Sequence, residues 1–192
     1  MIKKKFLKPT FYCESNSEEI KDLAKKITKN SRSQEEAVKK IFYWVRDKVC
    51  WNIVKIVGAK KVLKRNPMHA ICVDKTNLFI ALCRAINIPA RYLLILSCEL
   101  KSKRRDFPKT TGHVAAEVYL DNEWKIVDPT FGKHTKRLVP ISKFKKPSWE
   151  KIKGVLRLRE FSRLMVFISL FALRFSPSAL KMKKLIEEMN KN

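Results

Sequence analysis

The chain has 192 residues of ordinary apolar content, 45%, which suits one domain with a real core and sets disorder aside. Its formal net charge of +25 points to an acidic partner, whether nucleic acid, an anionic membrane surface or an acidic protein, and says nothing about fold. The longest uncharged apolar run, residues 164–173, is half the roughly 20 residues a membrane-spanning helix needs, and the basic start lacks the apolar stretch of a secretory signal. Five cysteines without a CxxC pair predict free thiols in a reducing cytoplasm.

Residues 1–14 read as a basic, partly extended lead-in. Ser15 with Glu18 makes an S-x-x-E capping signature, after which Ile20, Leu23, Ala24 and Ile27 recur at helical spacing. Ser33 with Glu36 starts a second helix whose stripe is Ala37, Val38, Ile41, Phe42 and Val45, widened by Trp44 and Val49. Residues 50–68 allow either a short strand or a helical turn at CWNIV, then a short helix and a turn before Pro67. A helix is predicted from Cys72 to Ile86, apolar on nearly all sides and therefore buried. Pro89 ends it, and RYLLILSCEL reads as a buried strand. After a basic loop come two more strands, HVAAEVYL and EWKIVD, joined by a two-residue turn at Asp121 and Asn122. Helices followed by strands in series predict an α+β domain with an antiparallel sheet over residues 15–140. Residues 141–192 read as a basic, amphipathic helical extension, in which Ser148 caps a helix over WEKIKGVLRL. Residues 133–192 carry 16 Lys or Arg against 4 Asp or Glu.

Only one of the cysteines, Cys72, stands at a helix start, where free N–H groups and the helix dipole stabilise a thiolate. If the Asp121-Asn122 loop has two residues, Ala115 lies opposite Asp128, and His113 falls diagonal to Asp128 on the same face. A three-residue loop would send the two side chains to opposite faces. Cys72, His113 and Asp128 are thus candidates for nucleophile, base and orienting group. A zinc site from Cys72, His69, His113 and His134 is the metal alternative, but no pair has the short ligand spacing of zinc ribbons or fingers, and no metal or cofactor is expected.

Three segments in this order, C-x5-L-x2-A-L-x-R-A-x2-I-P-A-R from Cys72, H-x3-E-V-Y from His113 and W-x3-D-P-T from Trp124, resemble the transglutaminase-like superfamily of papain-like cysteine enzymes. The resemblance covers about residues 33–132. It implies a papain-like core, Cys72 as nucleophile, His113 as general base and acid, and Asp128 as the group that orients the histidine. It also implies a thioester acyl-enzyme formed from an amide or peptide bond of a protein or peptide substrate, passed on to water or to an amine. The chain departs from the family's Gly-x-Cys, having Ala70-Ile71-Cys72. The oxyanion would be held by the Cys72 backbone N–H and a second donor, for which Asn66, Trp51 and Trp44 are the candidates. The rival reading is a non-catalytic module whose basic surface and C-terminal helix, within residues 145–192, engage nucleic acid or an anionic membrane surface. The protein is expected to be cytoplasmic on either reading, and peripheral to the membrane if the tail engages an anionic membrane surface.

Overall fold

The computed structural model describes residues 2–103, 105, 110–137, 139–162 and 184. Its helices are α1 (Glu18–Thr28), α2 (Gln34–Lys48), α3 (Ala59–Leu63) and α4 (Cys72–Ala85), and its strands are β1 (Cys50–Trp51), β2 (His69–Ala70), β3 (Ala90–Leu100), β4 (Thr110–Leu120), β5 (Glu123–Val127) and β6 (Trp149–Leu158). An antiparallel sheet in the order β5-β4-β3-β6 packs on the helices, and β1 pairs in parallel with β2 as a separate two-residue ribbon. This is the expected α+β arrangement.

Helix α2 starts as its sequence predicts: the Ser33 hydroxyl accepts from the Glu36 N–H at 3.1 Å, while the Glu36 carboxylate turns back to the N–H of Arg32 at 2.7 Å. Its predicted stripe is buried. Helix α1 begins two residues later than the Ser15–Glu18 signature implies. Ser17 holds the extended N-cap conformation, so Glu18 becomes the first helical residue and its carboxylate pairs with Lys21 at 2.8 Å. The lead-in is not extended at its start: Ile2–Phe6 form a 3₁₀ turn, and buried Phe6 packs edge-on against Trp124.

Helix α4 is the spine of the molecule, buried from Val73 to Arg84. Each polar side chain it carries inward is matched, as a buried polar group must be. Asp74 accepts from the Val57 N–H at 2.8 Å, Thr76 donates to the Val114 carbonyl at 3.1 Å, and Asn77 accepts from the Tyr92 hydroxyl at 2.8 Å. Arg84 spans the Ala90, Lys8 and Arg159 carbonyls, tying both ends of the described chain to the helix. Asn87, at φ 61°, ends the helix in a left-handed C′ position, with Ile88 N–H returning to the Cys83 carbonyl at 3.0 Å and Asn87 N–H to that of Arg84 at 3.1 Å.

Lys75 lies wholly buried, its Nζ donating to the carbonyls of Val49 at 2.6 Å and Arg46 at 3.1 Å at the C-terminal end of α2. Burial pushes its pKa down to about 7, against weaker opposing pulls from Asp128, Cys50 and Asp47. Because the folded pKa lies below the unfolded one, Lys75 binds no proton in the fold between pH 7 and about 10.5, while the unfolded chain does. Its contribution is therefore fully present above the unfolded value and is lost as pH falls towards 7. Lys75→Met, which leaves two carbonyls without their amine, is expected to destabilise by about 1–3 kcal/mol. In denaturant titrations the gap between wild type and variant should widen from pH 7 to pH 9; a gap that stays constant would mean that the amine is not desolvated.

The β4–β5 turn has two residues, Asp121 and Asn122, both at positive φ (50° and 64°), with Leu120 opposite Glu123 and Ala116 opposite Val127. Continued one step, that register sets Ala115 against Asp128, as predicted. The extension differs from its prediction. WEKIKGVLRL is not a helix capped by Ser148 but strand β6, antiparallel to β3 with Leu94 opposite Leu156 and Leu100 opposite Trp149. Ser148 instead bonds the Pro140 carbonyl at 2.6 Å. Two causes favour the strand. Gly154 is costly in a helix interior, whereas here it sits at φ 66° and leaves room for Leu96. The pairing also satisfies backbone groups of β3 that would otherwise form an open edge. Val139 and Trp149 join a second core cluster with Leu93, Ile95, Leu100, Ala115 and Phe131. The helices predicted beyond residue 162 lie outside the described residues. Among the described residues no helix is long and apolar enough to cross a membrane.

Candidate active site

Cys72 is the first residue of α4 and is half-buried; Ile71, in extended conformation, is the N-cap and offers no side-chain bond. The first N–H groups of the helix have no acceptor within it, so they and the positive end of the dipole face whatever lies beside Cys72. The other four cysteines sit differently. Burial pushes the thiols of Cys13, Cys50, Cys83 and Cys98 up, which keeps them protonated and poorly nucleophilic. All five are free thiols.

His113, on β4, and Asp128, just past β5, are both buried and lie in contact: His113 Nε2 is 3.0 Å from Asp128 Oδ2. Cys72 lies beside His113 on the other side of the ring, the two lining one cavity, and the thiol is among the groups that raise the imidazole. With Nε2 held by the carboxylate, the nitrogen available to the thiol is Nδ1. One ring nitrogen is thus held by a carboxylate, and the ring borders the cavity that Cys72 also lines.

Asp128 is held on every side. Its Oδ1 accepts from the Thr130 N–H at 3.0 Å, and Oδ2 accepts a second bond, from the indole Nε1 of Trp149, at 2.8 Å. Phe131 stacks on the His113 ring at 5.8 Å between centroids, and Trp149 leans over it at 6.2 Å. Burial opposes charge on both groups. For His113 it is outweighed by the Asp128 charge and hydrogen bond and by Cys72, which together push the imidazole up to about 10. For Asp128 it is outweighed by the His113 charge and by the bonds from His113 and Thr130, which hold the carboxyl below its usual range. An imidazolium–carboxylate pair is the consistent state at neutral pH.

A cavity of about 50 Å³ opens beside His113, lined by Cys72, His113, Gly112, Thr111 and an apolar wall. Of the three side chains considered as second oxyanion donor, the structure brings only Trp51 to it. The β1–β2 pairing sets Trp51 against Ala70, two residues before Cys72, and its ring meets Phe131 at 5.7 Å. Trp44 packs on the helical core and Asn66 is exposed on the loop before β2, so neither lines the cavity. The four zinc candidates do not converge. His69 meets Asn52 at 3.5 Å and His134 meets the Asp47 carbonyl at 3.3 Å, and no three His, Cys, Asp or Glu side chains among the described residues could hold a metal ion. Trp149 and Phe131 were invisible to sequence reasoning. Trp149 sits in the basic tail, 21 residues beyond Asp128, and only the β3–β6 pairing brings it back.

The sequence profile of the transglutaminase-like superfamily matches residues 21–129, a span that includes all three residues. No curated protein is significantly similar to the chain. Among solved structures, a protein from Cytophaga hutchinsonii that bears the provisional name of a cysteine protease superposes with a TM-score of 0.58 at 23% identity, covering 81% of this chain and 54% of that one. The periplasmic domain of TgpA from Pseudomonas aeruginosa aligns at 16% identity with a TM-score of 0.47, covering 65% of this chain and 45% of that one. The chain thus spans about half the length of the Cytophaga protein, and the likeness is one of fold. With more than half of its length matched by the family profile, and with the helix-then-sheet order that the fold requires, the chain belongs to the transglutaminase-like superfamily.

Proposed function

We propose that the protein is a thiol enzyme in which Cys72, His113 and Asp128 cleave an amide or peptide bond through a thioester. The observation that carries the reading is a histidine held by a buried carboxylate and sharing one cavity with a cysteine at the head of a buried helix. The Cys72 thiolate attacks the amide carbon, and negative charge develops on the carbonyl oxygen. That oxygen is received by the Cys72 backbone N–H, with Trp51 as the second candidate donor. As the C–N bond breaks, His113 gives the Nδ1 proton to the departing amine, leaving an acyl thioester and a neutral imidazole. His113 then takes a proton from the incoming water or amine. The products are a carboxylic acid or a new amide, the thiolate and the imidazolium.

Hydrolysis and transfer share the acyl-enzyme. Mass spectrometry of the products with and without an added primary amine separates them, and membership of the superfamily is compatible with either. The reading itself is tested by the rate at which iodoacetamide alkylates each cysteine between pH 5 and 9, followed by peptide mapping. The expected result is alkylation at Cys72 at neutral pH at least about tenfold faster than at the other four. An alkylation rate at Cys72 that rises only above pH 8, as for an unassisted thiol, would overturn it.

A further inference from the structure

The cavity beside Cys72 has a chemical character of its own. Its wall is Trp51, Ile53, Ile71, Leu100 and Phe131, and among the described residues no Asp, Glu, Lys or Arg lines it. Apart from Cys72 and His113, the other polar side chains among the described residues are the indole of Trp51, the candidate oxyanion donor, and Thr111, whose hydroxyl already donates to the Gly112 carbonyl at 3.0 Å. Gly112, which also lines the cavity next to His113, is exposed and adds no side chain to it. The volume of about 50 Å³ holds on the order of four methyl-sized groups. A carboxamide or a charged group entering would give up its water without partners to replace it, and buried polar groups without partners are costly. An aliphatic side chain loses nothing there and gains dispersion contacts on several sides.

We propose that this cavity is the acyl-side specificity pocket and that the enzyme selects an aliphatic residue of valine to leucine size next to the scissile carbonyl, in preference to glutamine or a charged residue. This rests on Cys72 being the nucleophile. Ile53 and Leu100 would set the depth of the pocket, and Trp51 and Phe131 its aromatic sides.

The test uses the full chain and a set of N-acyl aminoacyl vinyl sulfones, in which a thiolate adds to the alkene and the side chain next to the warhead is Gly, Val, Leu, Gln, Asp or Lys. Labelling of Cys72 is followed by intact mass and peptide mapping, and iodoacetamide is run in parallel as a probe that needs no pocket. The Val or Leu probe is expected to exceed the Gly probe by roughly 10- to 100-fold, and the Asp and Lys probes by more than about 100-fold. Ile53→Asp should raise the Lys probe relative to the Leu probe by at least about tenfold. Leu100→Ala should shift the preference towards a Phe probe. If iodoacetamide finds Cys72 reactive but the probes react alike, or Gln or a charged side chain leads, the pocket assignment is overturned and the thiol reading stands. An unchanged Lys-to-Leu ratio in Ile53→Asp also overturns it. If iodoacetamide finds no reactive Cys72, the thiol reading fails and takes the pocket with it.

Discussion

His113→Gln is expected to lower turnover by about 10³- to 10⁴-fold while leaving the fold in place. The loss follows from what the proposed mechanism asks of the imidazole at two moments: to keep the Cys72 sulfur paired with a positive charge before attack, and to protonate the amine as the C–N bond breaks. Glutamine retains a donor for the Asp128 carboxylate, so the buried charge is not left alone. His113→Ala would strand that carboxylate, at a cost of about 3–5 kcal/mol in stability. The wild-type pH profile carries the same information without a mutation. With His113 pushed up to about 10, the proton needed for amine departure is present throughout the neutral range, and kcat/KM should fall on the alkaline side as His113 deprotonates near that value. The direction for stability agrees. A histidine raised above its unfolded value of 6.5 stabilises fully below that value, and the stabilisation is lost as pH rises through about 10. A kcat/KM that instead collapses near pH 7 would mean that the imidazolium is not held by Asp128 as the structure has it.

How much of this was readable in advance depended on how far apart the partners lie along the chain. The His113–Asp128 contact was legible because a two-residue turn fixes a hairpin register by local chemistry, and Asp121 and Asn122 tolerate the positive φ values that such a turn requires. The start of α2 at Ser33 and the end of α4 near Asn87 are local events of the same kind. Ser15 misled because the S-x-x-E pattern competes with Ser17, and short-range patterns do not say which serine takes the extended conformation. Strand β6 was illegible for a different reason. Its apolar residues fit a helical stripe about as well as a strand, and what decides is the open edge of β3, about 50 residues earlier. Trp51 and Asn66 make the same point: both are near Cys72 in sequence, yet only the one that pairs beside Ala70 reaches the cavity.

Asp128→Asn is expected to cost about 10³- to 10⁴-fold in turnover, and Trp149→Phe about 10- to 100-fold, for related reasons. An asparagine in place of Asp128 still meets His113 Nε2, but it removes the charge that raises the imidazole above its ordinary value. The alkaline limb of kcat/KM should then move to lower pH. Trp149 acts through that carboxylate. Its Nε1–H donates to the same Oδ2 that accepts from His113, so the oxygen is fixed by two donors rather than one, at 2.8 and 3.0 Å. A hydrogen bond to a charged group contributes about 1.5–3 kcal/mol, and its loss in Trp149→Phe falls on the ionised form of Asp128. The carboxyl pKa rises, the His113 pKa falls with it, and the alkaline limb shifts in the same direction as in Asp128→Asn, but less. Phenylalanine keeps most of the buried surface, so a role limited to packing would lower thermal stability and leave the limb where it was. The double variant, Asp128→Asn with Trp149→Phe, separates the two possibilities. If the indole works through Asp128, the double variant should be little worse than Asp128→Asn alone; if the two losses multiply, Trp149 contributes by a route that does not pass through the carboxylate.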